Sequence, residues 1–255
     1  MLKNTIKFML LAIISLFITA CNENIMITGS NKALINTTQT YSVDIYDSYE
    51  WSVSPNAELT NVNSQSILFK ASQIGKYTLS VVAKKDNKKY RASMIIDVLE
   101  PEVINGYELP LEPDETLNNS TILGIDSNDN GIRDDVERKA IKTYQEPIKV
   151  EPMLASLRIG QEILANPVGL AQEHSAKMDR VDNCTAYLRT AAPNLIDELE
   201  YIKFYEKNIY NTEERVRAYL DYNSALSGGV YGSGPADWTA DKCDFEVEQM
   251  LEDRK

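Results

Sequence analysis

Apolar and polar positions alternate with a period of two in the first third of the chain. In the last half they recur with a period of about 3.6. Tyr77, Leu79, Val81 and Ala83 fall on one side of an alternating run. Tyr90, Ala92, Met94, Ile96 and Val98 alternate in the same way, the spacing of half-buried strands. Between the two runs stands Lys84-Lys85-Asp86-Asn87-Lys88-Lys89. Asp-Asn tolerates the positive φ values of a tight hairpin, and lysines at an exposed tip discourage edge pairing. Upstream, Tyr49-x-Trp51-x-Val53 repeats the alternation and offers Trp51 for burial between two sheets. Residues 25–99 thus predict a small antiparallel β domain.

Residues 100–125 predict an acidic linker. Pro101, Pro110 and Pro113 interrupt any helix, and Glu108, Glu112, Asp114 and Glu115 favour solvation. The expectation is an extended spacer that holds two domains apart without packing on either. From about residue 136 the pattern is helical. Val136, Ala140, Ile141 and Tyr144 share a face, as do Met153, Leu157 and Leu164. After Asn166-Pro167 a stripe runs through Leu170, His174, Met178, Val181, Thr185 and Leu188. Leu195, Leu199, Ile202 and Ile209 make another. Thr212 caps a helix whose buried side is expected at Val216, Tyr219, Leu220 and Leu226. A last helix is expected to carry Cys243, Val247, Met250 and Leu251. The fold class is α+β and multidomain: an N-terminal β-sandwich, then a C-terminal all-α helical domain over 138–255.

The pattern around Tyr49, Trp51 and Val53, followed by Gly75-x-Tyr77-x-Leu79-x-Val81, resembles the PKD and immunoglobulin-like modules of bacterial surface proteins. That resemblance covers about 75 residues and implies a sandwich acting as a spacer or binding surface. It licenses no activity.

The N-terminus carries a separate signal. Lys3 and Lys7 precede an apolar stretch from Phe8 to Ile18, with no acid among them, as in a secretory signal. The stretch is too short to span a bilayer, which takes ~20 residues. It ends in Ile18-Thr19-Ala20-Cys21, which resembles the lipobox of bacterial lipoproteins. The resemblance implies a signal peptide over 1–20, a lipidated N-terminus over 21–24, and acylation of the Cys21 thiol and amine. Several acyl chains suffice for stable membrane anchoring. Asn22 is not the aspartate that resembles an inner-membrane retention signal, which favours the outer membrane, with the body in the periplasm or at the cell surface.

Charge narrows the partners. The chain has 26 basic and 38 acidic residues, net −12, and loss of Lys3 and Lys7 brings it to −14. Residues 25–100 are nearly balanced, with 8 basic and 7 acidic, whereas 101–255 hold 16 and 30. So acidic a second half repels polyanions and excludes a nucleic-acid partner. Cys184 and Cys243 have no metal-ligand spacing around them, and in an oxidising compartment they read as one disulfide.

One segment carries specific chemistry: Asp126-Ser-Asn128-Asp-Asn130-Gly131-Ile132-Arg-Asp134-Asp-Val-Glu137. Oxygen side chains occupy loop positions 1, 3, 5, 9 and 12, with glycine at 6. Calcium takes about 6–8 oxygen ligands, and a loop of this spacing wraps them around one ion. Asp126, Asn128 and Asn130 would each give one side-chain oxygen, Ile132 its carbonyl, Asp134 an oxygen directly or through water, and Glu137 both carboxylate oxygens. The segment, 126–137, resembles EF-hand-like loops, and more closely the thrombospondin type 3 style with Gly-Ile-x-Asp-Asp. Its aliphatic residue is at position 7 and Arg133 stands at position 8, which implies an isolated structural loop rather than a paired sensor hand.

Enzyme motifs are mostly missing. There is no nucleophile elbow, no zinc-binding helix and no phosphate-cradling Gly-Lys. The single histidine, His174, reads as a core residue. The run Gly228-Gly229-Val-Tyr231-Gly232-Ser-Gly234 reads as a loop whose Tyr231, with Trp238, offers a partner contact. The function expected is a lipid-anchored envelope protein with a calcium-stabilised junction, presenting a helical domain to a protein or cell-wall partner. An immunity or inhibitor lipoprotein against an envelope-acting toxin is one alternative. An envelope hydrolase using acidic residues is the other, which a cleft lined by paired carboxylates would favour.

Overall fold

The computed structural model describes residues 25–229 and 237–254. Nine strands occupy the described N-terminal region and seven α-helices follow, as the change of period requires. One sheet joins β1 (Lys32–Leu34), β7 (Lys88–Leu99), β6 (Gly75–Lys85) and β3 (Ser48–Ser54) in that order. The other joins β2 (Thr38–Ser42), β5 (Ser66–Lys70) and β4 (Glu58–Thr60).

The alternation sets the register. Trp51 lies opposite Val81, and Leu79 opposite Met94, so inward residues meet inward residues. Tyr77, Leu79, Val81 and Ala83 are all buried, as are Ile96 and Val98. Phe69 from the second sheet sets its ring edge-on against Tyr41 and Tyr77, with centroids 5.9 and 5.6 Å away. Buried Trp51 donates its indole N–H to Ser64 O at 2.9 Å. At the β6–β7 tip Asp86 and Asn87 take φ values of 49° and 61°, the paired positive angles of a tight hairpin turn.

Residues 100–125 depart from the extended linker expected of them. They form a hairpin of β8 (Glu102–Ile104) and β9 (Tyr107–Leu109), then the short helix α1 (Glu115–Asn118). Leu109 is fully buried in the helical core, and Ile104, Tyr107 and Ile122 pack against it. Tyr107 Oη donates to Glu151 at 2.5 Å. Arg138 donates to Pro110 O, Glu112 and Glu102. The prolines and acids dominate the composition, but four apolar side chains spaced among them decide the packing. Two of the acids are partners for one arginine.

The helices are α2 (Asp134–Tyr144), α3 (Pro147–Ala165), α4 (Ala171–Ala191), α5 (Glu198–Ile209), α6 (Glu213–Ala225) and α7 (Val247–Glu252). α3 is apolar on most sides and packs against α2, α4, α5, α6 and α7, so it is the central helix of the unit. Among the described residues no helix is long and apolar enough to cross a membrane.

Two helices turn differently from their expected faces. α6 is capped by Thr212 as its sequence predicts, but it buries Arg215, Ala218 and Tyr222 and leaves Val216 and Leu220 exposed. Arg215 takes the inward position because five oxygens wait for it there. On α5, Leu199 and Ile202 are exposed while Tyr201 and Ile209 are buried.

Cys184 on α4 is bonded to Cys243, with Cα atoms 4.9 Å apart. Cys243 is not in the last helix as expected. It follows a 3-10 turn over Ala240–Lys242 and holds extended backbone four residues before α7. Arg180 fixes this strap a second time, donating to Asp241 O at 2.6 Å and to Asp244 at 3.0 Å.

Candidate functional site

The structure folds the 126–137 segment into a closed ring. Asp126 accepts from the backbone N–H groups of Asn130 and Gly131 at 3.2 and 2.7 Å. Asn130 Oδ1 accepts from Ile132 N at 2.9 Å, and Asp134 Oδ1 from Ser127 N at 3.0 Å. Glu137 reaches back from the first turn of α2 and closes the ring. Its two oxygens accept from the side-chain amides of Asn130 and Asn128, at 2.7 and 3.2 Å. Gly131 has φ +82°, and Arg158 of α3 packs against it. A side chain there would meet both strained backbone and that arginine.

The ring is electrostatically loaded. Asp134 and Glu137 are buried. Loss of water pushes each carboxyl up to about 6, with the Asp126 charge adding to the effect. Amide donors offset only part of that. In donor type the ring suits a hard cation, since carboxylates, amide oxygens and one carbonyl alternate along it. Asn128 and Asn130 now turn N–H groups toward Glu137, and a half-turn of either amide would present oxygen instead. Among the described residues, no three acidic, histidine or cysteine side chains are drawn together as a metal cluster.

What the sequence did not reveal is how the ring is bolted to the helices. Ile132 and Arg133 are both fully buried. Ile132 joins the core with Val136 and Leu157. Arg133, the residue out of place for an EF-hand, donates to Asp135 at 2.5 Å, to Asn208 O at 2.8 Å and to Asn211 Oδ1 at 3.2 Å. Gly124 lies against its stem: a Cβ there would sit 2.2 Å from Arg133 Cδ.

A second feature lies in the helical unit, which is not packed solid. α3, α4, α5 and α6 surround a cleft of about 670 Å3. Met153 and Ile163 line it from α3. Tyr205 and Tyr210, also lining it, share a hydrogen bond of 3.0 Å between their hydroxyls, and Tyr219 stacks on Tyr210 at 4.4 Å. Burial pushes the Tyr205 and Tyr210 hydroxyls well up, so both stay neutral. Gly160 makes room for Tyr205, whose hydroxyl lies 2.8 Å from where a Cβ would stand.

The acids on this cleft include Asp179, Asp182, Glu198 and Glu206. Asp182 is open to solvent yet flanked by protein. Burial first, then the Asp179 and Glu198 charges, push its carboxyl up to about 6. His174 is buried as expected and does not line the cleft. Its Nδ1 lies 3.5 Å from Glu162, and neither ring nitrogen makes a hydrogen bond among the described residues. Cys21, the signal segment and Tyr231 lie outside the described residues.

No protein-family model matches the chain, and no curated protein is similar to it. Among solved structures it is similar to the PKD domain from the KIAA 1837 protein, at 19% identity and a TM-score of 0.27. The match covers 30% of this chain and 86% of that one. The two-sheet β unit stands on its own strand pairing.

Proposed function

We propose that the chain is a lipid-anchored envelope protein whose helical unit binds a partner, with a calcium-holding loop ordering the start of that unit. The carrying observation is the ring closed by Glu137, with two buried carboxyls displaced upward. Three carboxylates in one small loop repel each other, and a divalent cation relieves that repulsion. In this reading Asp126, Asn128, Asn130, Ile132, Asp134 and Glu137 hold the ion. The anchor through Cys21 rests on the lipobox resemblance and places the body outside the cytoplasm.

Hydrolysis at the acidic cleft is the weaker reading. Asp179 and Asp182 stand three residues apart on α4 and so belong to one wall. Glu198, on α5, is already paired with Arg189. Glu206, also on α5, is the one acid left to face that wall, and among the described residues no hydrogen bond orients it as an acid or base would need.

Calorimetric titration of the purified chain with calcium tests the loop. The expected result is a saturable heat and a raised melting temperature, both strongly reduced in Glu137→Gln. An absence of heat at millimolar calcium overturns the site, and an effect unchanged in Glu137→Gln moves the metal elsewhere.

A further inference from the structure

We infer that the cleft between α3, α4, α5 and α6 binds a small organic cation, an amine or guanidinium carried on an apolar body. Its size is the first argument. A concave space of about 670 Å3 suits enclosure of a small molecule rather than the docking of a flat protein face.

The lining sets the sign of the charge. Among the lining residues are four carboxylates, Asp179, Asp182, Glu198 and Glu206, and one guanidinium, Arg189. Arg189 is paired with Glu198 and its charge also reaches Asp182, so Asp179 and Glu206 are left without a cationic partner and the wall stays net negative. Among the described residues no donor reaches the Asp182 carboxylate. Low-dielectric walls strengthen both the mutual repulsion of these acids and their attraction for a cation. An anionic ligand is excluded by the same field, and a neutral sugar gains nothing from it.

The remaining lining sets the body. Tyr201, Tyr205, Tyr219, Tyr222 and Trp238 place aromatic groups around the space, and aromatic faces attract ammonium and guanidinium groups. Ile202 and Trp238 line the cleft yet are 48% and 53% exposed, apolar surface that an apolar ligand body would cover. Charge and aromatic surface at one cavity therefore favour the same ligand chemistry.

This names the chemistry of the binding unit proposed above, and it shares no residue with the calcium loop, so the two titrations fail independently. The test is calorimetric titration of the purified chain with spermidine at fixed calcium, alongside triethylene glycol as a neutral probe of similar length. One-to-one binding of spermidine is expected, with none for the neutral probe. Asp182→Asn keeps the side-chain shape and should weaken binding at least tenfold, and Glu206→Gln serves where Asp182→Asn does not fold. Glu252→Gln, an exposed acid outside the cleft, should bind as the parent does. The inference is overturned by the absence of saturable spermidine binding or by equal binding of triethylene glycol. An equal loss in Glu252→Gln also overturns it, since that marks diffuse attraction to an acidic protein.

Discussion

Arg133 and Arg215, both fully buried, donate to the same oxygen: Asn211 Oδ1 lies 3.2 Å from one guanidinium and 2.7 Å from the other. Two like charges share one neutral acceptor. Arg215 spends its other donors on Asn118 O, Asn119 Oδ1, Thr121 O and Ile122 O. It thereby stitches the segment before the 126–137 loop to α6, while Arg133 stitches the loop itself to the end of α5. Burial, then the Arg133 charge, pulls Arg215 down to about 10, still charged at neutral pH.

Removing the shared acceptor should therefore cost more than one ordinary hydrogen bond. Asn211→Leu leaves two buried cations short of an oxygen, and a loss of about 3 kcal/mol is expected, of the order seen when a buried charge loses its partner. Asn211→Asp supplies a counter-charge in nearly the same shape and should retain or raise the parent stability. Denaturant melts of both variants decide it. Equal destabilisation by the two would show that shape, not charge, is what the arginines need.

The disulfide gives a second prediction. Cys184 and Cys243 are 59 residues apart in sequence, and closing such a loop is worth about 4 kcal/mol at most in the chain-entropy picture. Reduction, or Cys243→Ser, should lower the melting temperature and free the 237–254 strap for proteolysis before α3 or α4 yields. Arg180 would still hold the strap weakly through Asp241 and Asp244. A melting temperature indifferent to reductant would refute a stabilising staple.

These relationships mark where sequence pattern stops informing. The β unit was legible because alternation fixes both the face and the register: Tyr77, Leu79, Val81 and Ala83 could only point one way. That 126–137 turns tightly was legible from Gly131 and from short polar side chains recurring at set intervals. The 100–125 segment was not, since Ile104, Tyr107, Leu109 and Ile122 have no period, and their burial depends on a helical surface far along the chain. Half of the α6 face failed for a related reason: Tyr219 and Leu226 pack against the core as their spacing offers, but Val216 and Leu220 do not. Helical spacing offers Val216 and Leu220 as core, and only the long-range acceptors around Arg215 turn the helix the other way. The cleft had no local signal at all, because its tyrosines and acids come from separate helices.

Asp182 predicts a particular pH dependence. Its folded-state carboxyl is raised from 3.8 to about 6, so between those values the folded form binds more protons than the unfolded one. Stability contributed at this site therefore falls as pH rises through that window. Asp182→Asn removes the charge and its repulsion. The variant should be the more stable at pH 7, with the advantage shrinking toward pH 4. Water in the cleft screens part of the repulsion, so the gain stays below what the full shift would give. Paired denaturant melts at pH 4, 5, 6 and 7 measure it, and the difference cancels the titration of Asp134 and Glu137. A constant difference across that range would contradict the shift.

Gly124 and Gly106 form a matched pair for the last prediction. Both hold positive φ, +68° and +92°, so alanine at either site carries a similar backbone strain. They differ in what a methyl group would meet. At Gly106 there is nothing within 4 Å. At Gly124 the new Cβ would lie 2.2 Å from Arg133 Cδ and 2.7 Å from Asn118 Oδ1. Arg133 cannot swing clear, because its guanidinium is buried and bonded to Asp135, Asn208 and Asn211. Gly106→Ala should therefore cost about 1 kcal/mol from backbone strain alone, and Gly124→Ala about 2 kcal/mol more from the displaced arginine. Because Arg133 lies between Ile132 and Asp134, only Gly124→Ala should also weaken calcium binding. Denaturant melts and calcium titrations of the two variants measure both effects. Equal costs, or equal calcium affinities, would show that the loop does not depend on the arginine beneath it.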